Sequence, residues 1–234
     1  MARPNMGYRN AAGKKVPGTT TVLKSLSLLD SDILCSWAAK LARAGQDWRA
    51  TRAAAGAHGT MLHELCETRL PNALDPEKDR PAALTSEEQW EKLKLSYAAI
   101  RTWWLQHEPR LLLAEEPLVS ELYQFGGTPD GLVSFPRDIP AYGVVAGEPW
   151  LFDYKTGSQV GGKEVAQMSA YRQLLLETKG VAVHGAILIH APTKEPGYMR
   201  PVVIPSSALD TGWQLFAAAL TVYRGAPVLA AVCE

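Results

Sequence analysis

Pro149-Trp150-Leu151-Phe152-Asp153-Tyr154-Lys155-Thr156-Gly157 is the stretch on which the reading of this chain turns. Its aromatic and aliphatic residues run together and stop at a Thr-Gly pair, which marks a buried strand with a sharp end. Side chains alternate faces along a strand. Leu151, Asp153 and Lys155 therefore share one face, while Trp150, Phe152 and Tyr154 turn to the other, towards a core. Taken alone, an acid and a lysine two residues apart are a weak salt bridge at a strand end. What stands around them changes that reading.

Upstream lies Gly126-Gly127-Thr128-Pro129-Asp130-Gly131. Glycines and a proline flank an acid here and make a sharp opening to the strand Leu132-Val133-Ser134-Phe135. Further upstream is Gly59-Thr60-Met61-Leu62-His63-Glu64-Leu65-Cys66-Glu67, inside an alanine-rich stretch from about Trp48 to Arg69 that reads as a long helix, interrupted near Gly56 or Gly59. On a helix His63 and Glu67 share a face; His58 sits off it. Downstream, Gln167 and Tyr171 are one turn apart on a helix expected from about Lys163 to Lys179. Two carboxylates, a lysine and an imidazole in such company suit metal-assisted cleavage of a phosphodiester. Hard oxygens hold Mg²⁺ or Mn²⁺, the ion acidifies bound water, and a lysine orients that water or stabilises the developing charge.

The elements around these motifs set the fold class. Residues 1–18 read as an extended arm ending at Pro17-Gly18, and Thr19 to Lys24 fits a strand or a helix. Ser31 or Asp32 caps a helix through Trp37, Leu41 and Ala42. Residues 71–85 form a surface loop. A helix starting at Ser86-Glu87-Glu88 buries Trp90, Leu93, Tyr97, Ile100 and Trp104 on one face. Residues 111–125 read as strand; Ala186 to His190 and residues 198–204 add two more, and Asp210 to Arg224 is an amphipathic helix. The order predicts an α/β fold with a mixed sheet of four or five strands flanked by helices. One domain is expected over 1–234: a helical extension over 1–50 covering the groove, a core over 51–205, and a C-terminal helix over 206–234.

Composition narrows the function classes. Lys plus Arg equals Asp plus Glu, 24 each, so a protein that coats nucleic acid through bulk positive charge is disfavoured, and any contact with DNA needs a local basic groove. Arg43, Arg49, Arg52 and Arg69 are candidates for it. Trp37, Trp48, Trp90, Trp103 and Trp104 could stack on bases, although core packing accounts for tryptophans at helical spacing. Cys35, Cys66 and Cys233 are too few and too scattered for a disulfide framework or a zinc site. No signal-peptide pattern and no membrane-length apolar run is present, so a cytoplasmic location is expected, the host cytoplasm if the gene is a phage's, with no membrane partner.

The four motifs, in this order, resemble the RecB-like branch of the PD-(D/E)XK nucleases, and most closely the phage-type exonucleases. Gly59 to His63 matches G-x-x-x-H, Gly127 to Asp130 matches G-x-x-D, Asp153 to Gly157 matches D-x-K-T-G, and Gln167 to Tyr171 matches Q-x-x-x-Y. The resemblance implies a restriction-endonuclease-like core and hydrolysis of DNA with one or two Mg²⁺ or Mn²⁺ ions. His63, Asp130, Asp153 and the Tyr154 backbone carbonyl would hold the metal, with Asp130, Asp153 and Lys155 as the catalytic set. Gln167, Tyr171 and Glu67 would contact DNA or support the site. Many relatives carry a four-cysteine iron–sulfur cluster, which three cysteines cannot build; none is expected here. The activity implied is that of an exonuclease on DNA ends in phage-type recombination, replication or repair, with a recombination or replication protein as a further partner. The alternatives are a flap- or junction-selective endonuclease and a non-catalytic DNA- or partner-binding module.

Overall fold

The structure, a computed structural model, describes residues 7–26, 31–84 and 86–230. Cys233, the expected caps at Ser31 and Asp32 as side chains, and residues 1–6 of the expected arm lie outside the described residues. The rest of that arm is a small hairpin: β1 (Tyr8–Arg9) pairs antiparallel with β2 (Lys15–Val16). Helix α1 (Thr19–Leu23) follows, which decides between the strand and helix readings of this segment. Next come α2 (Ser31–Arg43), α3 (Trp48–Arg69) and α4 (Glu87–His107). The Asp47 side chain accepts from Arg49 N at the start of α3, and Ser86 caps α4.

The central sheet has five strands in the order β3-β6-β7-β8-β9. They are β3 (Arg110–Ala114), β6 (Gly131–Ser134), β7 (Trp150–Lys155), β8 (Gly185–His190) and β9 (Arg200–Pro205). Only β7 and β8 run parallel, joined by α5 (Gly162–Lys179), so the sheet is mixed. A separate hairpin, β4 (Leu118–Ser120) with β5 (Phe125–Gly127), sits between β3 and β6 in sequence. The single strand expected over 111–125 is therefore three. The chain is broken by Glu115 and Gln124, both in the left-handed region, with Pro117 between them. The last helix, α6 (Ser206–Ala230), packs on α5.

Alternation along β7 divides two cores. Leu151 joins Met168, Leu174, Leu188 and Phe216 beneath α5 and α6. Trp150, Phe152 and Tyr154 join Leu62, Leu93, Ile100 and Trp103 beneath α3 and α4. Burial on both faces is why β7 is nearly continuous in large apolar residues. It also fixes the register, because a slip of one residue would exchange the two sets.

Candidate active site

Three elements bring the motif residues together. Asp130 stands immediately before β6, Asp153 and Lys155 lie at the C-terminal end of β7, and His63 projects from α3. Helix α3 is continuous through Gly56 and Gly59, against the expected interruption. Gly59 serves close approach: a Cβ there would lie 2.7 Å from Thr156 Oγ1, just past Lys155. Gly127 likewise makes room rather than a turn, since its Cβ would meet Thr19 Oγ1 at 2.6 Å and Tyr171 Cε1 at 2.7 Å. Both motif glycines thus let a helix and a strand end come together at the site.

Asp130 and Asp153 are 2% and 1% exposed. Asp130 Oδ2 accepts from Tyr154 N at 3.0 Å and lies 3.2 Å from His63 Nδ1. Its Oδ1 has no hydrogen-bond partner among the described residues. Asp153 Oδ2 is met by the Lys155 ammonium in an ion pair. A buried carboxylate oxygen short of a hydrogen-bond donor, Asp130 Oδ1, close to a second buried carboxylate is costly in a folded protein unless something positive meets it.

His63 carries the same message. Its Nε2 lies 2.9 Å from the Tyr154 carbonyl oxygen and can only donate there. In a neutral ring its Nδ1 would then turn a lone pair on the Asp130 carboxylate. The contact needs positive charge between the two atoms, a proton or a cation in its place. Burial works against the imidazolium, but the hydrogen bond and charge of Asp130, with the charge of Asp153, outweigh it and push the His63 pKa up. Burial would likewise raise the Asp130 carboxyl, yet His63, Lys155 and the Tyr154 N–H outweigh it and hold it below the usual carboxylate range. Asp153 goes the other way: burial, then the Asp130 charge, push it up to about 6 despite Lys155.

Lys155 is oriented from behind. Its Nζ donates to Gln167 Oε1 at 3.0 Å, and Gln167 Nε2 donates to the Tyr171 hydroxyl at 2.9 Å. Helical spacing on α5 puts the amide and the phenol in line, so Gln167 and Tyr171 support the lysine. Burial opposes the ammonium, and the charges of Asp153 and Asp130 overcome it and raise its pKa. Among the described residues, no three His, Cys, Asp or Glu side chains are grouped ready to hold a metal. The donor set is therefore two carboxylates, with the Tyr154 carbonyl and an imidazole that must give up its Nδ1 proton.

Other expected residues separate. Glu67 is exposed and lines a cleft together with Asp130. Arg69 pairs with the buried Asp79 at 2.6 Å, so its charge is engaged within the protein. Arg43, Arg49 and Arg52 are exposed on α2 and the first half of α3, with Arg49 over the Trp48 ring. Trp90 and Trp103 are core residues, whereas Trp37, Trp48 and Trp104 keep part of their surface. Sequence reasoning missed Tyr8, whose hydroxyl is 2.9 Å from Thr128 Oγ1, and His190. The His190 Nε2–H donates to Gly157 O at 2.8 Å, while its Nδ1 accepts from Arg200 Nε at 3.3 Å. Neither has a sequence signal, because their partners lie far along the chain.

No family model and no curated protein matches the chain. Among solved structures, a provisionally assigned exonuclease from Eubacterium rectale is 10% identical over 72% of this chain and 68% of its own, with a TM-score of 0.45. The alkaline exonuclease LHK-Exo from Laribacter hongkongensis is 14% identical over 60% of this chain and 73% of its own, with a TM-score of 0.31. The same enzyme in complex with dAMP is 14% identical, covers 64% of this chain and 77% of its own, and has a TM-score of 0.33.

Proposed function

We propose that this chain is a divalent-cation-dependent deoxyribonuclease of the PD-(D/E)XK kind, acting on DNA ends. The observation that carries the reading is the pair of buried carboxylates: Asp130, whose Oδ1 has no hydrogen-bond partner among the described residues, and Asp153, set against a lysine that Gln167 holds in place. A buried salt bridge kept only for stability would have its lone pairs satisfied. Mg²⁺ or Mn²⁺, one ion or two, fits this donor set of hard oxygens. Asp130, Asp153 and the Tyr154 carbonyl would hold it, and His63 would join through Nδ1 once the imidazole is neutral.

When bound, the cation supplies Lewis acidity towards a phosphate oxygen and acidifies water. The protein does the rest. Asp130 presents its unpartnered Oδ1, and Asp153 its carboxylate, from strand ends. Lys155 keeps its ammonium beside them, ready to stabilise charge that develops on the phosphate or to steer the attacking water. Gln167, fixed by Tyr171, prevents Lys155 from swinging away. His63 braces the Tyr154 carbonyl. Action from ends is the form that the motif resemblance implies.

The test is loss of end-labelled linear DNA against a covalently closed circle, with Mg²⁺ or Mn²⁺, beside Asp153→Ala and Lys155→Ala. Loss of linear DNA alone, abolished in both variants, is the expected result. Cutting of the circle would replace the exonuclease with an endonuclease. Binding without cutting would leave a nucleic-acid-binding module.

A further inference from the structure

Beside Asp130 lies a cleft of about 230 Å³ that the hydrolytic chemistry does not use. Leu70, Trp104, Leu111 and Phe152 give it apolar lining, and Glu67, Glu115 and Asp130 give it acidic lining. The Trp104 ring meets Phe152 edge-on, with centroids 5.7 Å apart, and remains partly exposed. Leu111 is 53% exposed on the edge strand β3. Leu70 and Trp104 pack against the core on one side and keep part of their surface in the cleft on the other.

We infer that this cleft receives one unpaired nucleobase next to the scissile phosphate, so that the substrate is a single strand or a frayed end. The inference rests on the nuclease reading above. Three features select a base. The volume lies below the roughly 300–1,000 Å³ of pockets for drug-sized ligands, which suits a single heterocycle. The acidic lining repels a phosphate, so the uncharged part of a nucleotide enters, and the exposed Glu67 carboxylate can accept from base N–H groups. Trp104 offers a surface on which any base can stack. A base still paired within a duplex cannot reach the cleft, so duplex substrates must first open at the cost of unstacking.

The test uses two short single-stranded oligonucleotides with 2-aminopurine at the 5′ or the 3′ end, in Ca²⁺, read by fluorescence quenching. Cleavage is followed separately in Mg²⁺ or Mn²⁺, with matched strands that are abasic at the same position. Quenching at one end is expected, and it should fall in Trp104→Leu and in Leu111→Ser, the latter at an exposed position that leaves the fold intact. The abasic strand should be cut roughly tenfold less efficiently, and Trp104→Leu should add little to that loss. Cleavage without quenching, or equal cleavage of abasic and intact strands, overturns the base cleft and leaves the nuclease reading standing. Quenching without any cleavage supports the cleft and removes the nuclease reading.

Discussion

Asp153→Asn should make the metal-free protein more stable. In the folded chain, burial and the neighbouring Asp130 push the Asp153 carboxyl up to about 6; in an unfolded chain its proton leaves near pH 4 (about 3.9). Keeping it ionised at pH 7.5 therefore costs roughly 3 kcal/mol. The attraction of Lys155 is already contained in that position. An amide pairs imperfectly in the same place, which returns about 1 kcal/mol. The net gain is on the order of 2 kcal/mol, or roughly 4–8 °C in Tm for a chain of this size. The sign follows from linkage. A carboxyl raised on folding carries no penalty below pH 4, where both states hold the proton, and the full penalty above pH 6. The advantage of Asp153→Asn should thus appear at pH 7.5 and fade towards pH 4. Excess Mn²⁺ should reverse the order at pH 7.5: a ligand at 100 times its Kd stabilises the wild type by about 2.7 kcal/mol and leaves the variant unmoved. Thermal melts in EDTA and in Mn²⁺ would measure all of this. A variant no more stable than wild type in EDTA at pH 7.5 would refute the idea that a costly buried charge is held in reserve for a cation.

Four further outcomes follow from the geometry. Gly59→Ala should lose about 1–2 kcal/mol in urea denaturation despite alanine's better helix propensity, because its methyl meets Thr156 Oγ1; Thr156→Ala in the same chain should restore most of it. Gln167→Leu should slow DNA hydrolysis roughly 10–100-fold with Mn²⁺ affinity unchanged, since it frees Lys155 from its support; Tyr171→Phe should have a smaller effect. Cation binding should release a proton from His63, whose pKa is raised by Asp130. Calorimetry in buffers of different ionisation heat would detect it, and affinity should weaken as pH falls through that raised value. Lys155→Met should abolish cutting and leave Mn²⁺-dependent stabilisation in place.

Much of this arrangement was legible in the sequence because it depends on short-range pattern. Alternation in Trp150 to Lys155 placed Asp153 and Lys155 on one face and the aromatics on the other, as observed. One helical turn between Gln167 and Tyr171 became a hydrogen bond. Pattern failed where geometry came from contacts distant in sequence. A glycine costs a helix stability, so Gly59 suggests a break, but the residue that requires it, Thr156, is far along the chain. The strand expected over 111–125 ignored two non-glycine residues with positive φ, Glu115 and Gln124, which no propensity predicts. Spacing puts Trp104 on the buried face of α4, yet its neighbour Trp103 is the core residue and Trp104 lines a cleft. Only the packing of α4 against the sheet tells them apart.

The central position of β7 has a consequence for how the molecule opens. Its amides pair with β6 on one side and β8 on the other, under cover of both cores. Such strands exchange hydrogen only in the rarest global openings, while solvent-exposed helices exchange through frequent local ones. The first half of α3, exposed from Arg49 to Ala57, belongs to the second class, and the same helix reaches the site at His63. The carboxylates at the end of β7 and before β6 can hold their places while the first half of α3 loosens and re-forms, so the proposed chemistry would keep its geometry through such motion.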